Sequence, residues 1–233
     1  MPQKFEVNNG KIKLLNNAGV IFHNVGNYKR GIRYYKNALQ QISCFDDWNG
    51  GLVILNNLGA VLKDLRMDDE ALKLFLIALA SRVSMENTIL EGILLNNLGK
   101  LSLERDLFEQ SLKIFQKALQ RVKHFKRHYQ LKAIILNNIG KTYYNSGNLK
   151  KTLKYYFKAL EMDRKGNNTH RQTQDLNNIA WIFQKQGKFR KALEYYQCAL
   201  KTAKLMQADS LKRIILENLE LLYRSRVEKM SAP

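Results

Sequence analysis

Apolar and polar positions follow one five-residue motif, which we call the phrase and which recurs along the whole chain. The phrase is an apolar residue, two asparagines, an apolar residue and a small residue, and its copies begin at Leu15, Leu55, Leu95, Leu136 and Leu176. A weaker copy begins at Leu216, so successive starts lie 40, 40, 41, 40 and 40 residues apart. A fixed period of this length predicts a solenoid in which each unit packs against its neighbours.

Inside one period, the apolar residues are spaced as on an α-helix. In the first period, steps of three, one and three residues separate Leu15, Ala18, Gly19 and Phe22. Gly26 and Asn27 interrupt the pattern, and a second helical run begins at Tyr28. Each period therefore predicts two helices joined by a tight turn.

Small residues recur at two registers of this hairpin. The first helices carry Gly19, Gly59, Gly99, Gly140 and Ala180, and the second helices carry Gly31, Ala71, Ser111, Thr152 and Ala192. Glycine inside a helix costs roughly 1 kcal/mol relative to alanine. Its repetition at one register predicts that the partner helix approaches too closely for a larger side chain. Arg66 and Asp106 stand where other periods have the turn glycine.

These features resemble the tetratricopeptide repeat family, whose unit combines Leu-Gly, an aromatic residue, a glycine turn, alanine, a second aromatic residue and Ala-Leu. The resemblance covers residues 12–223. It implies an all-α, right-handed superhelical solenoid of five helical-hairpin repeats and a C-terminal capping helix. The Leu-Asn-Asn-Leu-Gly phrase, and a period longer than the usual unit of roughly 34 residues, are most similar to kinesin light chains and LGN/Pins adaptors.

The resemblance also predicts where each repeat begins and ends. The five repeats are placed at 12–45, 52–85, 92–125, 133–166 and 173–206, and the capping helix at 207–233. In the cap, we expect Leu216, Leu219 and Tyr223 to cover the fifth repeat. Glu217 and Glu220 replace the asparagine and glycine of the phrase there, as suits a helix with a polar outer face.

The second asparagine of each phrase is the sharpest functional signal. It recurs as Asn17, Asn57, Asn97, Asn138 and Asn178, although asparagine is a poor helix former. In the family that the chain resembles, this face of the first helices lines a concave groove. A side-chain amide both donates and accepts hydrogen bonds, which suits an extended peptide. The alternative is that the asparagines bond between repeats, which we favour for the first of each pair.

Cations and one indole accompany these amides at neighbouring positions of the same face. The predicted peptide-binding residues are Lys13, Asn17, Asn57, Asn97, Lys100, Asn138, Lys141, Asn178 and Trp181. Lysines favour an acidic or phosphorylated ligand. We therefore expect a non-catalytic scaffold or adaptor that binds an extended, acidic peptide segment of a partner protein.

The net charge of +19 is unevenly distributed and supports a second hypothesis. Residues 111–233 carry 26 Lys and Arg against 8 Asp and Glu. The alternative function is a structural subunit of a large assembly, such as a ribonucleoprotein, that contacts RNA or another polyanion through its basic outer face. Its candidate residues are Lys123, Lys126, Arg127, Lys150, Lys151 and Lys154. No nucleic-acid motif and no systematic interleaving with aromatic residues supports it, and a solvated face stays a third interpretation.

Catalytic chemistry finds no support in the sequence. The chain lacks a glycine-rich phosphate loop and the CxxC, HExxH and GxSxG motifs. We therefore predict no enzyme activity, no cofactor, no metal site and no small-molecule substrate. The chain shows no secretory signal and no apolar run long enough to span a membrane, so we expect a cytoplasmic protein. Cys44 and Cys198 are expected to be reduced and partly buried.

Overall fold

The computed structural model describes residues 2–42, 48–81, 88–125 and 127–231 and confirms the all-α class. Within these ranges eleven helices follow one another without a strand. They are α1 Pro2–Asn24, α2 Tyr28–Gln41, α3 Trp48–Asp64, α4 Asp68–Ala80, α5 Thr88–Glu104, α6 Phe108–Val122, α7 Tyr129–Asn145, α8 Leu149–Lys165, α9 Thr169–Lys185, α10 Phe189–Leu205 and α11 Asp209–Ser231.

The chain divides into two compact units. Unit 1 spans Met1–Leu107 and contains α1 to α5, and unit 2 spans Phe108–Pro233 and contains α6 to α11. The predicted third repeat, 92–125, has residues in both units, and the repeat boundaries stay predictions. Cys44 and Lys126 lie outside the described residues.

In unit 1, an aromatic ring of each second helix lies against a glycine of the first helix. Tyr35 and Phe75 are completely buried. A Cβ atom built at Gly19 would lie 2.5 Å from Tyr35 Cε1, and one at Gly59 would lie 2.6 Å from Phe75 Cε1. Both distances are below van der Waals contact, so the glycine register exists because the ring occupies that space.

Unit 2 repeats this packing with a small variation. Gly140 receives the ring of Tyr156, whose Cδ1 atom would lie 2.5 Å from an added Cβ. In the next hairpin, Ala180 stands at the glycine register and Tyr196 at the ring register, and both are completely buried. The hydroxyl of Tyr196 donates to Gln184 Oε1 at 3.0 Å. The hairpin therefore tolerates one methyl group where the others have none.

A second face of each first helix packs against the preceding hairpin. On α3 this face presents Ile54 and Val61, which are buried in one cluster with residues of α1 and α2. On α1 the equivalent residues Leu14 and Ile21 are 71% and 61% exposed. They stay exposed because no described residue covers this side of α1.

The turns inside the hairpins keep one backbone conformation although their sequence varies. Gly26, Gly147 and Gly187 have φ angles of 76°, 81° and 73°. Arg66 and Asp106 occupy the same turn position with φ angles of 63° and 58°. These two residues therefore adopt the left-handed conformation that glycine enters without steric cost.

The capping helix α11 packs on the fifth hairpin with a different face from the one that we predicted. Ile215, Leu219 and Leu222 are buried in the core of unit 2. Of the predicted trio, only Leu219 is among them, whereas Leu216 and Tyr223 are 45% and 51% exposed. The reason is that α11 uses the face that first helices turn to the preceding hairpin.

Cys198 corrects a smaller expectation. Its thiol is free and exposed on α10 rather than partly buried. The preceding second helices carry exposed Lys158 and Ile77 at the same register. This register is therefore the outer side of the second helices, and the apolar character of Cys198 does not place it in the core.

Candidate functional site

In unit 1, side-chain amides of three first helices form a continuous hydrogen-bonded chain, which we call the amide chain. Asn97 Nδ2 on α5 donates to Asn56 Oδ1 on α3 at 2.7 Å. Asn56 Nδ2 is 3.4 Å from Asn57 Oδ1, and Asn57 Nδ2 donates to Asn16 Oδ1 on α1 at 3.0 Å. Both asparagines of a phrase thus take part in contacts between repeats.

The amide chain also leaves hydrogen-bonding capacity on the surface. Each amide has two donor hydrogens and two acceptor lone pairs, and Asn57 uses one of each in the amide chain. Asn57 and Asn97 are half-buried, and Asn17 is exposed. Asn57 and Asn97 are therefore held in fixed orientations by their neighbours without being closed off from solvent.

An ionic cluster lies near the C-terminal ends of α1, α3 and α5. Asp64 Oδ2 lies 2.9 Å from His23 Nε2, and Asp64 Oδ1 lies 2.9 Å from Lys63 Nζ. The same ammonium group contacts Glu104 Oε1 at 3.1 Å. Each contact between helices joins residues 41 positions apart, as do the Asn57–Asn16 and Asn97–Asn56 bonds. Amides and charges thus align the same three helices.

The pKa values in this cluster move toward the charged forms. Burial alone would lower the pKa of Lys63, but hydrogen bonds to Asp64 and Glu104 outweigh it and raise that pKa. Burial would likewise raise the pKa of Asp64, but hydrogen bonds from Lys63 and His23 outweigh it and lower the pKa. Lys63 and Asp64 therefore both stay charged at neutral pH.

Unit 2 continues the asparagine contacts with one change. Asn218 Nδ2 on α11 donates to Asn177 Oδ1 on α9 at 3.0 Å. Asn137 on α7 instead donates to the carboxylate of Asp175 on α9. Asp175 stands at the register of Ile54, Leu94, Ile135 and Ile215, which are buried aliphatic residues.

Asp175 belongs to a buried polar group between α8 and α9. Arg171 Nε lies 3.2 Å from each carboxylate oxygen of Asp163, and the side chains of Asp163 and Asp175 are almost inaccessible to solvent. Burial, followed by repulsion from Asp163, raises the pKa of Asp175 to about 8. Burial also raises the pKa of Asp163, although Arg171 opposes the shift.

The predicted peptide-binding residues lie on first helices in both units. In unit 1, Lys13 and Asn17 are exposed, and Asn57, Asn97 and Lys100 are half-buried. In unit 2, Lys141 is exposed, and Asn138, Asn178 and Trp181 are half-buried. Lys185 Nζ lies 4.4 Å from the centre of the Trp181 ring. Ile214 and Leu221 on α11 add exposed apolar surface at equivalent positions.

The predicted polyanion-binding residues that the structure describes are accessible. Lys123, Arg127, Lys150, Lys151 and Lys154 are exposed in unit 2. Lys151 Nζ lies 5.0 Å from the centre of the Tyr143 ring, and Lys158 Nζ lies 5.4 Å from that of Tyr155. The two tyrosine rings stack with centroids 5.5 Å apart.

Sequence reasoning missed this association of lysines with aromatic rings. A similar arrangement recurs one repeat later, where Phe183 stacks on Tyr195 and Lys191 Nζ lies 5.7 Å from the Phe183 ring centre. The two stacked rings of each pair come from two helices and lie 12 residues apart, so lysines and aromatic residues do not alternate along the sequence. Aligning the repeats on one another, rather than scanning for alternation, would have found the pairs.

Comparison with known proteins identifies the family. Residues 90–165 and 131–204 match the family model described as tetratricopeptide repeat. No curated protein matches the chain.

Several solved structures share the fold. BtubC (BKLC) from P. vanneervenii has a TM-score of 0.71 and 18% identity over 84% of this chain and 81% of that chain. A Rap protein complexed with Competence and Sporulation Factor has a TM-score of 0.74 and 17% identity, over 91% of this chain and 65% of that chain. The Rap conjugation gene regulator of plasmid pLS20, in complex with the Phr* peptide, has a TM-score of 0.75 and 14% identity. That match covers 91% of this chain and 59% of the regulator. The chain spans less than two thirds of the length of either Rap chain.

No three His, Cys, Asp or Glu side chains come together as metal ligands in the described ranges. No helix in those ranges combines the length and the apolar character needed to cross a membrane. The narrower resemblance to kinesin light chains and LGN/Pins adaptors stays a prediction. The repeated hairpins, the family match and the shared fold together establish that this chain belongs to the tetratricopeptide repeat family.

Proposed function

We propose that the protein is a non-catalytic, cytoplasmic scaffold that binds an extended, acidic segment of a partner protein on the amide-bearing face of its first helices. The amide chain of unit 1 carries the proposal. Its members hold one another in place, so a peptide backbone would meet donors and acceptors whose orientation is already fixed. Such preorganisation raises affinity because less side-chain freedom is lost on binding.

Exposed lysines on first helices of each unit support an acidic ligand. Lys13 and Lys141 are exposed on α1 and α7. In unit 2, Lys185 lies over the Trp181 ring, so a cation and an apolar surface are offered together. A segment with carboxylates and an occasional large apolar residue satisfies both. The Rap proteins of similar fold, one of them bound to a peptide, support a peptide ligand in general but not its charge.

A binding assay with matched charge reversals tests this proposal. The probes are fluorescein-labelled extended peptides, one rich in Asp and Glu with single Leu residues, and one with the acids replaced by Lys. We expect the acidic peptide to bind more tightly. Lys141→Glu combined with Lys185→Glu should weaken it about tenfold, since two charge-assisted contacts are lost.

The control for that assay carries the same charge change on the outer face. Lys150→Glu combined with Lys154→Glu alters two exposed lysines of α8. This variant should leave the affinity for the acidic peptide nearly unchanged. An equal loss in both variants would mean that net charge alone attracts the probe, and the first-helix face would then be rejected as the site.

The lysines over stacked tyrosines favour a second candidate function, a structural subunit that contacts RNA or another polyanion through its basic outer face. Nucleic-acid surfaces combine phosphate-binding cations with aromatic rings on which bases stack. Lys151, Tyr143 and Tyr155 supply both elements within one hairpin. This surface combines Tyr143 of α7 with Lys151 and Tyr155 of α8, so its cation lies on a second helix, whereas Lys141 lies on a first helix.

A salt titration separates the two candidate functions. For single-stranded RNA on the outer face, affinity should fall steeply with salt, because each neutralised phosphate releases a counterion. Lys150→Glu with Lys154→Glu should abolish RNA binding, and Lys141→Glu with Lys185→Glu should weaken it far less. Weak binding that is insensitive to salt would exclude the RNA surface.

A further inference from the structure

The helix α11 exposes an apolar face that other first helices of unit 2 bury. Leu136 on α7 and Leu176 on α9 are 5% and 8% exposed, whereas the equivalent Leu216 on α11 is 45% exposed. The next position on this face changes in the same way, from 6% at Phe183 to 51% at Tyr223. In α7 and α9 this face is turned to the second helix of the same hairpin. No second helix packs on α11 within the described residues.

A cleft lies where that second helix would be. It has a volume of about 760 Å³ and is lined by Phe189 and Leu193 of α10 and by Leu222 and Tyr223 of α11. A second cleft of about 430 Å³ lies along α10 and is lined by Gln197, Leu200 and Leu205 among others. Leu205 is one of the most exposed apolar residues of the described chain.

The repeat register shows that the second cleft also faces the place where a second helix would follow α11. Phe157 on α8 contacts Tyr195 on α10, with ring centroids 5.8 Å apart. Gln197 on α10 stands at the register of Phe157 and therefore points toward the place of a following second helix. Half-buried and exposed apolar side chains of α10 and α11 together form one surface, which we call the α11 seat. Phe189, Leu193 and Leu200 are half-buried, and Leu205, Leu216 and Tyr223 are exposed.

The shape and charge of the α11 seat specify its occupant. In complete hairpins this place holds a helix of 14 residues in α2 or 17 residues in α10. Its rim is basic, with Lys188, Arg190, Lys191, Lys201 and Lys204 all exposed. Two of the nearby acids are paired, Glu194 with Arg190 and Glu220 with Arg224, and Glu217 is exposed beside Leu216.

A second copy of this chain does not supply a matching helix. The outer face of α8 carries Lys151, Lys154 and Lys158, which the basic rim would repel. The helix α4 has an acidic first turn, but its large exposed apolar residues are only Leu76 and Ile77, which do not form a stripe along the helix. The exposed Leu14 and Ile21 of α1 follow the exposed Lys11 and Lys13, which the basic rim would repel. Charge complementarity therefore favours a different protein.

We propose that the α11 seat binds an amphipathic helix of a partner protein that has an apolar stripe and acidic flanks, and that this helix completes the last hairpin. Glu220 stands at the glycine register that receives an aromatic ring in the other hairpins. The bound helix therefore carries a small or polar residue opposite Glu220. This helix-in-groove contact uses a different face from the peptide site of the first helices.

A designed peptide tests the α11 seat directly. The probe is a fluorescein-labelled helical peptide as long as α10, 17 residues, with Leu along one stripe, Ala opposite Glu220 and Glu on both flanks. Fluorescence anisotropy should report binding, and circular dichroism should report helix formation on binding. Leu216→Lys combined with Tyr223→Lys should weaken binding about tenfold or more, because two apolar anchors are lost.

Both substituted residues are exposed, so the variant should keep its helical circular dichroism and melting temperature. Ile21→Lys on α1 is the control, since it replaces an exposed apolar residue elsewhere. It should leave the affinity unchanged, as should Lys141→Glu on the first-helix face. A peptide with Lys flanks in place of Glu should bind much more weakly.

Three outcomes would overturn the proposal. Undiminished binding to the double variant would place the peptide elsewhere, and equal binding of the Lys-flanked peptide would remove the acidic requirement. Sedimentation equilibrium gives the third: a dimer that dissociates in the Leu216→Lys, Tyr223→Lys variant would assign the α11 seat to a second copy of this chain.

Discussion

At the scale of single residues, the approach of two helices is set by the atom that a glycine lacks. Gly59 lies so close to Phe75 that a Cβ atom would meet three carbons of the ring within 3.1 Å. Ala180 occupies the same register against Tyr196, and both residues are completely buried. A methyl group is thus accommodated only where the ring and its surroundings have adjusted to it.

Replacing Gly59 by alanine should therefore destabilise the protein, in spite of the better helix propensity of alanine. We expect a loss of about 1–2 kcal/mol, because overpacking of the Phe75 ring outweighs a gain of up to roughly 1 kcal/mol from helix propensity. Gly10→Ala is the control, since Gly10 is also helical and has nothing within 4 Å of an added Cβ. The change in the free energy of unfolding, measured with urea, should have opposite signs for the two variants. Equal signs would contradict the packing argument.

The left-handed turn residues give a prediction of the opposite kind. Arg66 and Asp106 hold φ angles of 63° and 58° that glycine adopts more easily. Arg66→Gly and Asp106→Gly should each stabilise the protein by about 0.5–1 kcal/mol, since relief of backbone strain exceeds the added entropy of the unfolded chain. Gly147→Ala, at φ 81°, should destabilise it. The melting temperatures of the three variants measure both effects. A lower melting temperature for the two glycine variants would show that Arg66 and Asp106 are not strained.

At the scale of the helix, the sequence predicted one buried face but not the second. The wheel around Gly19 and Phe22 shows the face toward the partner helix. The face of Leu14 and Ile21 is buried only where another hairpin precedes it, and one helix alone cannot reveal that neighbour. The register of repeats contains the missing information: Asp175 stands where Ile54 and Ile215 are buried. The asparagine registers were evident in the sequence, whereas their mutual hydrogen bonds required the distances between helices.

The buried carboxyl of Asp175 predicts that stability depends on pH. Its pKa is raised to about 8 in the folded protein, against about 3.9 in an unfolded chain. The folded state then binds one more proton between these values, so stability is complete below the unfolded pKa and is lost as pH rises through the folded pKa. The loss is at most about 1.4 kcal/mol per pH unit.

Asp175→Asn should remove this dependence, because an amide cannot titrate and still accepts the bond from Asn137. Urea unfolding between acidic and mildly alkaline pH should show a shallower decline for the variant than for the parent protein. The groups facing Asp175 are Asp163 on α8, Arg171 on α9 and Asn137 on α7, with Tyr156 nearby. Parallel curves would show that Asp175 is ionised in the fold.

At the scale of the whole molecule, positive charge is concentrated in one unit. Residues 1–107 carry 13 basic and 11 acidic side chains, whereas residues 108–233 carry 26 and 9. Isolated surface ion pairs contribute little, so the excess in unit 2 acts mainly as repulsion between like charges. Salt screens such repulsion over distances of about 10 Å at 0.1 M.

Raising the ionic strength should therefore raise the melting temperature of the full chain by a few degrees, on the order of 1 kcal/mol. Lys150→Glu combined with Lys154→Glu should reduce this response, since it lowers the charge of unit 2. Lys36→Glu changes an exposed lysine of unit 1 and should reduce it less. A melting temperature that falls with salt would mean that attractive pairs, such as those of Lys63, dominate.

The open side of α1 has a practical consequence for protein engineering. Leu14 and Ile21 are exposed at two registers that are buried in the later repeats, and Asn17 is exposed at the register of the amide chain. An extra module copied from residues 12–51 and fused ahead of Ile12 could pack on the exposed apolar face of α1 and accept a hydrogen bond from the Asn17 amide. The array can be lengthened from this end in steps of one period.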